Sequence, residues 1–263
     1  MTPTIRTADG LELDCAHHPA DGPGRGTVLL AHGITQDMDE GGMFTRLAER
    51  LAAAGFDVVR FSYRGHGDSD GRPRGVTIAG ERLDVEAAFD HARAAFDGPY
   101  FVVAKSFGAV STCLSLERFG DTVAGLVLWN PVLDIERTFV EPQSAWGREH
   151  FSDERVAELG ESGALAIADG FEIGPVLYEE LHRYDPGARL AARSVPALVV
   201  HGDDDDIVPY APTKRVATDS GADFHTVENT GHAFLTPEGT PATSGGEREQ
   251  DRRTVAWLSE RAE

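Results

Sequence analysis

The chain has 263 residues, of which 41% are apolar and 26% charged, and its formal net charge at pH 7 is −20. This is globular composition, and the length suits one α/β domain that carries an insertion. The acidic balance argues against a nucleic-acid partner, because phosphate binding needs a basic surface. No apolar run reaches the roughly 18–20 residues of a membrane helix, so no membrane partner is expected either.

The expected compartment is the cytoplasm. The N-terminus, which begins at Met1, lacks the basic region and the apolar run of a secretory signal. Cys15 and Cys113 lie far apart in sequence, and both are expected to be buried thiols, which fits a reducing environment. No cluster of cysteine and histidine has metal-ligand spacing, so no metal site is predicted.

Strand and helix patterns alternate along the chain. Residues 4–17 alternate polar and apolar side chains around Asp9-Gly10 and predict a β-hairpin. Short apolar runs, typical of strands buried on both faces, then alternate with amphipathic helical patterns. The predicted strands are 27–31, 57–61, 100–104, 124–129, 197–201 and 222–228, and the predicted helices are 43–54, 78–96, 106–119 and 244–262. The alternation predicts an α/β fold with a mainly parallel sheet of about eight strands and helices on both faces.

Residues 131–185 interrupt this alternation. They show no convincing strand, only short helical stretches around 152–160 and 175–184, together with recurring aromatic residues. A connection of this length inside a compact domain is usually functional. We expect a small helical cap inserted after the sixth strand, between a first core part, residues 1–130, and a second, residues 186–263. A helical excursion packed on the sheet edge is the alternative.

Ser106 stands where a predicted strand runs directly into a helix. A serine on such a tight turn exposes its hydroxyl at the helix N-terminus. The turn needs small neighbours because backbone passes close on both sides, and Ala104 and Gly108 supply them. The residues alone leave two interpretations of Ser106, a nucleophile or an ordinary helix N-cap.

Three segments resemble motifs of the α/β-hydrolase family. Residues 104–108, Ala-Lys-Ser-Phe-Gly, resemble its Gly-x-Ser-x-Gly elbow, with alanine in place of the first glycine. Residues 30–34, Leu-Ala-His-Gly-Ile, resemble its His-Gly turn, and residues 64–69 match its Arg-Gly-His-Gly-x-Ser stretch. The resemblance implies an α/β-hydrolase fold with Ser106 as nucleophile.

The same resemblance assigns the oxyanion hole to the backbone N–H groups of Ile34 and Phe107. Backbone donors suit this role because they are fixed before the charge develops. For His32 and His66, which lie within the matched segments, the resemblance implies structural roles.

The acid and the base are expected after the nucleophile, in the family's order Ser, acid, His. Residues 201–209, His-Gly-Asp-Asp-Asp-Asp-Ile-Val-Pro, resemble the family's Gly-x-x-Asp-x-x-Val-Pro turn and place the acid at Asp205. Asp134 is the alternative acid, and the aspartate run could also be interpreted as a metal loop, although it lacks calcium-site spacing. The Gly-His turn after the last strand places the base at His232.

The overall plan resembles bacterial feruloyl/cinnamoyl-type carboxylesterases and related thioesterases. This implies a serine hydrolase that cleaves a carboxylic ester through an acyl-serine intermediate, with no cofactor, because a triad and water suffice. A thioesterase, or an acyltransferase or cyclase acting on an acyl-thioester or biosynthetic intermediate, is the alternative. A peptidase and a non-catalytic, receptor-like member are less favoured. The partner is a small-molecule ester or thioester, and the oligomeric state stays open, a homodimer included.

Four residues are candidates for substrate binding. Trp146, Phe151 and Tyr178 would line the acyl or alcohol pocket, or else form the core of the cap itself. Lys105, beside the nucleophile, would favour a carboxylate- or phosphate-bearing substrate if its ammonium reaches the pocket. In the alternative, Lys105 points aside and pairs with an acidic neighbour.

Overall fold

The computed structural model describes residues 4–262. Met1–Pro3, at the N-terminus in which no secretory signal is expected, and Glu263 lie outside the described residues. The strands are β1 (Thr4–Arg6), β2 (Glu12–His18), β3 (Thr27–Ala31), β4 (Asp57–Phe61), β5 (Tyr100–Lys105), β6 (Val123–Trp129), β7 (Leu165–Ala168), β8 (Phe171–Ile173), β9 (Ala197–Gly202), β10 (Asp223–Val227), β11 (Thr243–Ser244) and β12 (Glu247–Arg248). The helices are α1 (Met43–Ala53), α2 (Ile78–Ala95), α3 (Gly108–Leu114), α4 (Leu116–Phe119), α5 (Ala145–His150), α6 (Asp153–Ser162), α7 (Pro175–Leu181), α8 (Pro186–Ala191), α9 (Tyr210–Asp219) and α10 (Glu249–Arg261), with 3₁₀ turns at Pro73–Gly75 and Gly120–Thr122 and a π-helical turn at Glu136–Val140.

Eight strands form one sheet in the order β1-β2-β4-β3-β5-β6-β9-β10. β1 pairs with β2 and β2 pairs with β4 in antiparallel register, whereas the later pairings are parallel. The predicted hairpin and the mainly parallel sheet are thereby confirmed. The carboxyl ends of the parallel strands lie at one edge of the sheet, which is where open α/β sheets bind ligands.

Helices cover both faces of the sheet because its central strands are apolar on both sides. In β3, Val28 and Leu30 belong to one buried cluster, while Leu29 and Ala31 belong to the other. Successive side chains of a strand point to opposite faces, so an uninterrupted apolar run must be covered twice. α1 and α10 pack on the Val28 side, and α2 and α3 pack on the Leu29 side.

Residues 131–185 contain a β-hairpin that the sequence analysis misses. β7 and β8 are antiparallel and joined at Asp169-Gly170, with Gly170 at φ +74°. Strands this short give no alternation that stands out beside helical stretches, although Asp-Gly is itself a strong hairpin signal. The expected helical stretches correspond to α6 and α7. The boundaries of this segment as a cap stay a prediction.

The buried face of α2 is not wholly apolar, contrary to the pattern that predicts this helix. Asp84 is fully buried and accepts hydrogen bonds from the Arg64 backbone and guanidinium. The apolar Leu83 beside it, which an amphipathic helix would be expected to bury, is only half-buried. A buried carboxylate is tolerated where a guanidinium pairs with it, and that partner comes from another part of the chain.

Two other predicted helices have different bounds in the structure. The helix predicted over 106–119 is divided at Ser115 into α3 and α4. α10 begins at Glu249 instead of residue 244, because β11 and β12 form a hairpin whose turn is Gly245-Gly246, both with positive φ. Among residues 4–262, no helix combines the length and the apolar character needed to cross a membrane.

Candidate active site

Ser106 lies on the turn between β5 and α3 in a left-handed backbone conformation, with φ at +52°. A non-glycine residue in this conformation costs on the order of 1–3 kcal/mol, and it persists only where its surroundings impose it. The Ser106 N–H donates to the Trp129 carbonyl at 2.9 Å, and the Ser106 carbonyl accepts from the Val132 N–H at 3.0 Å. These bonds hold the serine at the carboxyl edge of the sheet, where it lines a cavity of about 620 Å³.

Gly108 allows α3 to approach β3 closely. A Cβ at this position would lie 2.4 Å from the His32 carbonyl oxygen and 2.6 Å from that of Ala31. We expect Gly108→Ala to lower the free energy of unfolding by about 2–3 kcal/mol, because backbone atoms must move apart. Urea denaturation measures this, with Gly160→Ala in α6 as control, where nothing lies within 4 Å. Equal effects of the two substitutions would contradict the close approach.

Asp205 and His232 come from different loops and meet in the structure. His232 Nδ1 lies 2.8 Å from Asp205 Oδ2, and the Asp205 side chain is fully buried. A carboxylate accepts only, so Nδ1 carries the proton and the Nε2 lone pair remains available. The alternative acid, Asp134, instead accepts from the Arg137 N–H at 3.0 Å and pairs with Arg215 at 3.7 Å.

Both carboxylate oxygens of Asp205 have partners. Oδ1 accepts from the backbone N–H groups of Ile207 and Val208, each at 2.9 Å, and Oδ2 lies 3.3 Å from His201 Nε2. Burial by itself raises the pKa of a carboxyl, but the His232 and His201 imidazoles hold the pKa of Asp205 well below its usual value. At neutral pH a carboxylate anion therefore lies against His232.

The other three aspartates of the 203–206 run, all within the described residues, make no hydrogen bond with His232. Asp203 accepts from the Asn229 N–H at 2.6 Å, and Asp204 and Asp206 are exposed. Within residues 4–262, no group of three or more His, Cys, Asp or Glu side chains is arranged to hold a metal ion.

Asn130, which the sequence analysis does not single out, fixes the loop of His232. Its side-chain amide donates to the His232 carbonyl at 2.8 Å and accepts from the Gly202 N–H at 2.9 Å. It is fully buried and has φ at +42°, directly after β6. This amide therefore connects the loop of His232 to the end of β9, which precedes Asp205. An asparagine that tolerates positive φ at the end of a strand is the one sequence signal for it.

His232 and Ser106 line the same cavity. Ser106 Oγ makes no hydrogen bond with any residue of the described range, 4–262. Hydrogen bonds between a nucleophile and its base commonly tighten only when substrate is bound. Within the described residues, the Ser106 hydroxyl is thus not committed to another partner.

Two backbone N–H groups are available beside Ser106. Ile34 lines the cavity and Phe107 follows Ser106 directly, and neither amide hydrogen donates to another residue between 4 and 262. A Cβ on Gly33 would lie 3.2 Å from Ser106 Cβ, so the loop carrying Ile34 lies against the serine. Two such donors can stabilise a negatively charged oxygen, each by about 3–4 kcal/mol.

Two buried histidines support the loop that carries Ile34. His32 contacts the Gly33 carbonyl through Nδ1 at 2.8 Å, and its Nε2 accepts from the Tyr63 N–H at 2.9 Å. Burial and the neighbouring His66 lower the pKa of His32, so it is neutral and Nδ1 is the donor. His66 Nε2 lies 2.5 Å from the Ile34 carbonyl. Both imidazoles therefore connect the loop after β3 to the loop after β4.

The Lys105 ammonium pairs with the carboxylate of Glu40. Lys105 Nζ lies 3.1 Å from Glu40 Oε1, and the two side chains are 4% and 1% exposed. The other carboxylate oxygen of Glu40 accepts from the Gly33 N–H at 2.7 Å. Lys105 precedes Ser106 and Gly33 precedes Ile34, so this one carboxylate links the turn of Ser106 to the loop of the candidate oxyanion hole. The sequence gives no signal that relates Glu40 to Lys105.

We expect a double-substitution cycle to reveal this buried pair. Glu40→Gln and Lys105→Met should each lower the free energy of unfolding by about 3–5 kcal/mol, because each leaves a buried charge uncompensated. The double variant should cost clearly less than the sum of the two. Urea denaturation of all four proteins measures this coupling. Strictly additive losses would contradict the pairing.

The segment 131–185 contributes much of the apolar wall of the cavity. Of the three aromatic residues expected in the pocket, Trp146 lines it. Phe151 packs instead against Phe139, with ring centroids 5.1 Å apart, and Tyr178 packs against His182 at 5.2 Å. Phe151 and Tyr178 thus belong to the apolar cluster under the segment. The remaining lining residues of this segment are Val132, Phe139, Ile167 and Ala168.

Comparisons with known proteins support one family. A family model described as serine aminopeptidase, S33, matches residues 22–155, just over half of the chain. An uncharacterized protein of Mycobacterium tuberculosis is 29% identical over 220 residues, which cover 81% of this chain but only 64% of that relative's length. A monoacylglycerol lipase of Mycolicibacterium smegmatis is 27% identical over 222 residues, covering 74% of this chain and 77% of the lipase. Among solved structures, Est1E of Butyrivibrio proteoclasticus with bound ferulic acid superposes with a TM-score of 0.77 at 19% identity, covering 98% and 96% of the two chains.

Proposed function

Since the chain belongs to the family described as serine aminopeptidase, S33, and is a hydrolase with the α/β-hydrolase fold, we propose that it cleaves carboxylic esters through an acyl-Ser106 intermediate. The observation that carries the proposal is the 2.8 Å contact between His232 Nδ1 and the buried Asp205 carboxylate, made at the cavity that Ser106 also lines. An imidazole whose Nε2 is left to act as the base, at a cavity that a serine hydroxyl also lines, is what acyl transfer requires.

In the acylation step, His232 Nε2 accepts the Ser106 hydroxyl proton while Oγ attacks the ester carbonyl carbon. The oxyanion that forms accepts hydrogen bonds from the N–H groups of Ile34 and Phe107. His232 then gives its proton to the departing alcohol as the C–O bond breaks, leaving Ser106 acylated. In deacylation, His232 takes a proton from water, the hydroxide oxygen attacks the acyl carbon, and the carboxylic acid leaves as the proton returns to Ser106 Oγ.

Asp205 acts through His232. Its carboxylate holds the proton on Nδ1, which leaves Nε2 as the base, and it stabilises the imidazolium that exists between the two proton transfers. The backbone donors at Ile207 and Val208 keep Oδ1 engaged, so that Oδ2 remains directed to the histidine. Asp205 therefore does not itself need to gain a proton.

An ester is a better fit to this cavity than the N-terminus of a peptide. An aminopeptidase must hold its substrate's ammonium group, and an unpaired carboxylate serves that purpose. Among the described residues that line the cavity, the one carboxylate is Glu40, which already pairs with Lys105 and Gly33. The monoacylglycerol lipase of Mycolicibacterium smegmatis, by its name an ester hydrolase, supports the same substrate class.

Residues 131–185 are proposed as the cap that closes the acyl side of this cavity, since their apolar side chains line it. The cytoplasm is proposed as the compartment, because the thiols of Cys15 and Cys113 are both buried and far apart in the sequence. The chain spans 64% of the length of the Mycobacterium tuberculosis relative, so the activity of the whole protein is part of the proposal.

A panel of 4-nitrophenyl esters and matched acyl-thioesters tests the proposed reaction. We expect ester hydrolysis with kcat/KM of at least about 10⁴ M⁻¹s⁻¹ for the preferred chain length, which is the lower end for enzymes acting on their own substrate class. Cleavage of thioesters alone would replace the ester proposal by the thioesterase alternative. Failure of the wild-type protein to cleave either class would overturn the proposal.

A further inference from the structure

The cavity carries positive charge in a strongly acidic protein. Apart from His232, the ionisable side chains that line it among residues 4–262 are one carboxylate, Glu40, and three cations, Arg46, Lys105 and Arg248. The chain as a whole has a formal net charge of −20. In a protein this acidic, each cation at the cavity is expected to have an acidic partner, either within the protein or in a ligand.

Two of these cations are neutralised by the protein itself. Lys105 pairs with Glu40, as described above. Arg46 binds Asp251 through Nε at 2.6 Å and through Nη2 at 3.3 Å, and the Asp251 side chain is fully buried. Neither charge is left for a ligand without breaking a buried pair.

Arg248 does not pair with the acidic residues next to it in the chain, because both of them contact other side chains. Glu247 pairs with Arg50 at 2.8 Å, and Glu249 contacts His225 at 2.8 Å. The Arg248 guanidinium makes no hydrogen bond or ion pair with any residue from 4 to 262. It is half-buried, and burial together with the nearby Arg46 lowers its pKa, although Asp251, the partner of Arg46, acts in the opposite direction.

Gln250 provides a second unused polar group at the same wall. It lines the cavity and is 1% exposed, yet its Oε1 has no hydrogen-bond partner among the described residues. A buried amide without a partner costs about 1–3 kcal/mol, which a ligand would recover by bonding to it. An amide oxygen only accepts hydrogen bonds, so an anionic ligand would bond to Gln250 with the amide turned over, which places its NH₂ at this position.

We propose that Arg248, with Gln250 beside it on the wall of the cavity, binds an anionic group of the substrate. The preferred substrates are then esters that carry a carboxylate or a phosphate at a distance from the reacting carbonyl. Arg248, which has no hydrogen bond or ion pair within residues 4–262, takes the role that the sequence suggests for Lys105. This inference rests on the proposed function and specifies the substrate class of the same site.

Two matched pairs of substrates distinguish the effect of substrate charge on kcat/KM from the effect of acyl-chain length. Mono-4-nitrophenyl suberate and 4-nitrophenyl octanoate have the same acyl chain, with and without a terminal carboxylate. Octanoyl-coenzyme A and S-octanoyl-N-acetylcysteamine compare leaving groups with and without phosphates. In Arg248→Gln, we expect the kcat/KM preference for the anionic member of one pair to fall about tenfold, the loss typical of one charged hydrogen bond.

Arg253→Gln is the matched control. Arg253 is exposed on the same helix, α10, and does not line the cavity, but its substitution changes the net charge equally. The control should keep both preferences within about twofold, well below the effect of a charged hydrogen bond. A response confined to the suberate pair assigns a carboxylate, and one confined to the coenzyme A pair assigns a phosphate. An unchanged preference in Arg248→Gln for both pairs overturns the inference.

A binding measurement separates this inference from the proposed function. Calorimetry with monomethyl suberate, and separately with inorganic phosphate, on Ser106→Ala and on Ser106→Ala combined with Arg248→Gln needs no turnover. Tighter binding of either probe to the single variant, by about tenfold, supports the anion site even if no ester is cleaved. Equal binding of both probes to the two variants overturns it, whether or not the wild-type protein hydrolyses esters.

Discussion

Replacing Ser106 by alanine is expected to lower kcat for ester hydrolysis by roughly 10⁵–10⁶-fold. Without Oγ no acyl-enzyme can form, and the residual rate comes from substrate binding and the two backbone donors alone. The free energy of unfolding should stay within about 0.5 kcal/mol of the wild-type value, because Oγ makes no hydrogen bond within residues 4–262. Steady-state kinetics on a 4-nitrophenyl ester measures kcat, and urea denaturation measures the free energy of unfolding.

Ser115→Ala is the matched control for this substitution. Ser115 is also buried, and its hydroxyl has no hydrogen-bond partner among the described residues, but it lies outside the cavity. It should retain wild-type kcat. Residual activity of Ser106→Ala within about 100-fold of the wild-type value would show that the serine is not the nucleophile, since such losses are typical of an auxiliary group.

Replacing Asp205 by asparagine is expected to lower kcat about 10⁴-fold with little change in KM. The introduced amide would turn its NH₂ toward His232 Nδ1, or else leave the imidazole unoriented. In the first case the proton moves to Nε2, which can then no longer accept the proton of Ser106, and in the second the Nε2 lone pair is no longer held toward Ser106. The expected signature is loss of the chemical step with substrate binding retained.

The same substitution changes how stability depends on pH. The pKa of Asp205 is lowered in the folded protein, so its carboxylate contributes stability that is fully present above the unfolded pKa of about 3.9 and is lost as pH falls below it. The wild-type protein should therefore lose more stability than Asp205→Asn between about pH 5 and pH 3, as followed by urea denaturation.

Asp204→Asn is the control for both measurements, because Asp204 is an exposed neighbour in the same run. It should leave kcat unchanged and preserve the wild-type pH dependence of stability. If Asp204→Asn inactivated the enzyme and Asp205→Asn did not, the register assigned to the acid would be wrong.

The motif resemblance predicts the fold and family membership, and both are confirmed. The sheet, its parallel strands and the covering helices follow from apolar runs that alternate with amphipathic patterns, as β3 shows through its two buried faces. Asp205 is distinguished from the three adjacent aspartates by register alone, that is, by its spacing from Gly202, Val208 and Pro209. The structure supplies a physical reason for that register, because the Ile207 and Val208 amides bind Oδ1.

Contacts between residues that are far apart in the sequence cannot be predicted from motifs or from apolar patterns. The Lys105–Glu40 pair joins two loops that no motif connects, and a lone glutamate in a polar turn looks like any solvated residue. Arg248 is distinguished only by the pairing of its neighbours with other side chains, which is a property of the folded chain. The β7–β8 hairpin was missed because its strands are too short to show alternation.

Covalent labelling with a fluorophosphonate tests whether Ser106 is the nucleophile. We expect that the folded wild-type protein gains one phosphonyl group, that peptide mass spectrometry places it on Ser106, and that His232→Ala slows labelling strongly by removing the base. The control variant Ser115→Ala should label at the wild-type rate. Folded protein that remains unlabelled, or a label on any residue other than Ser106, would show that Ser106 is not an activated nucleophile.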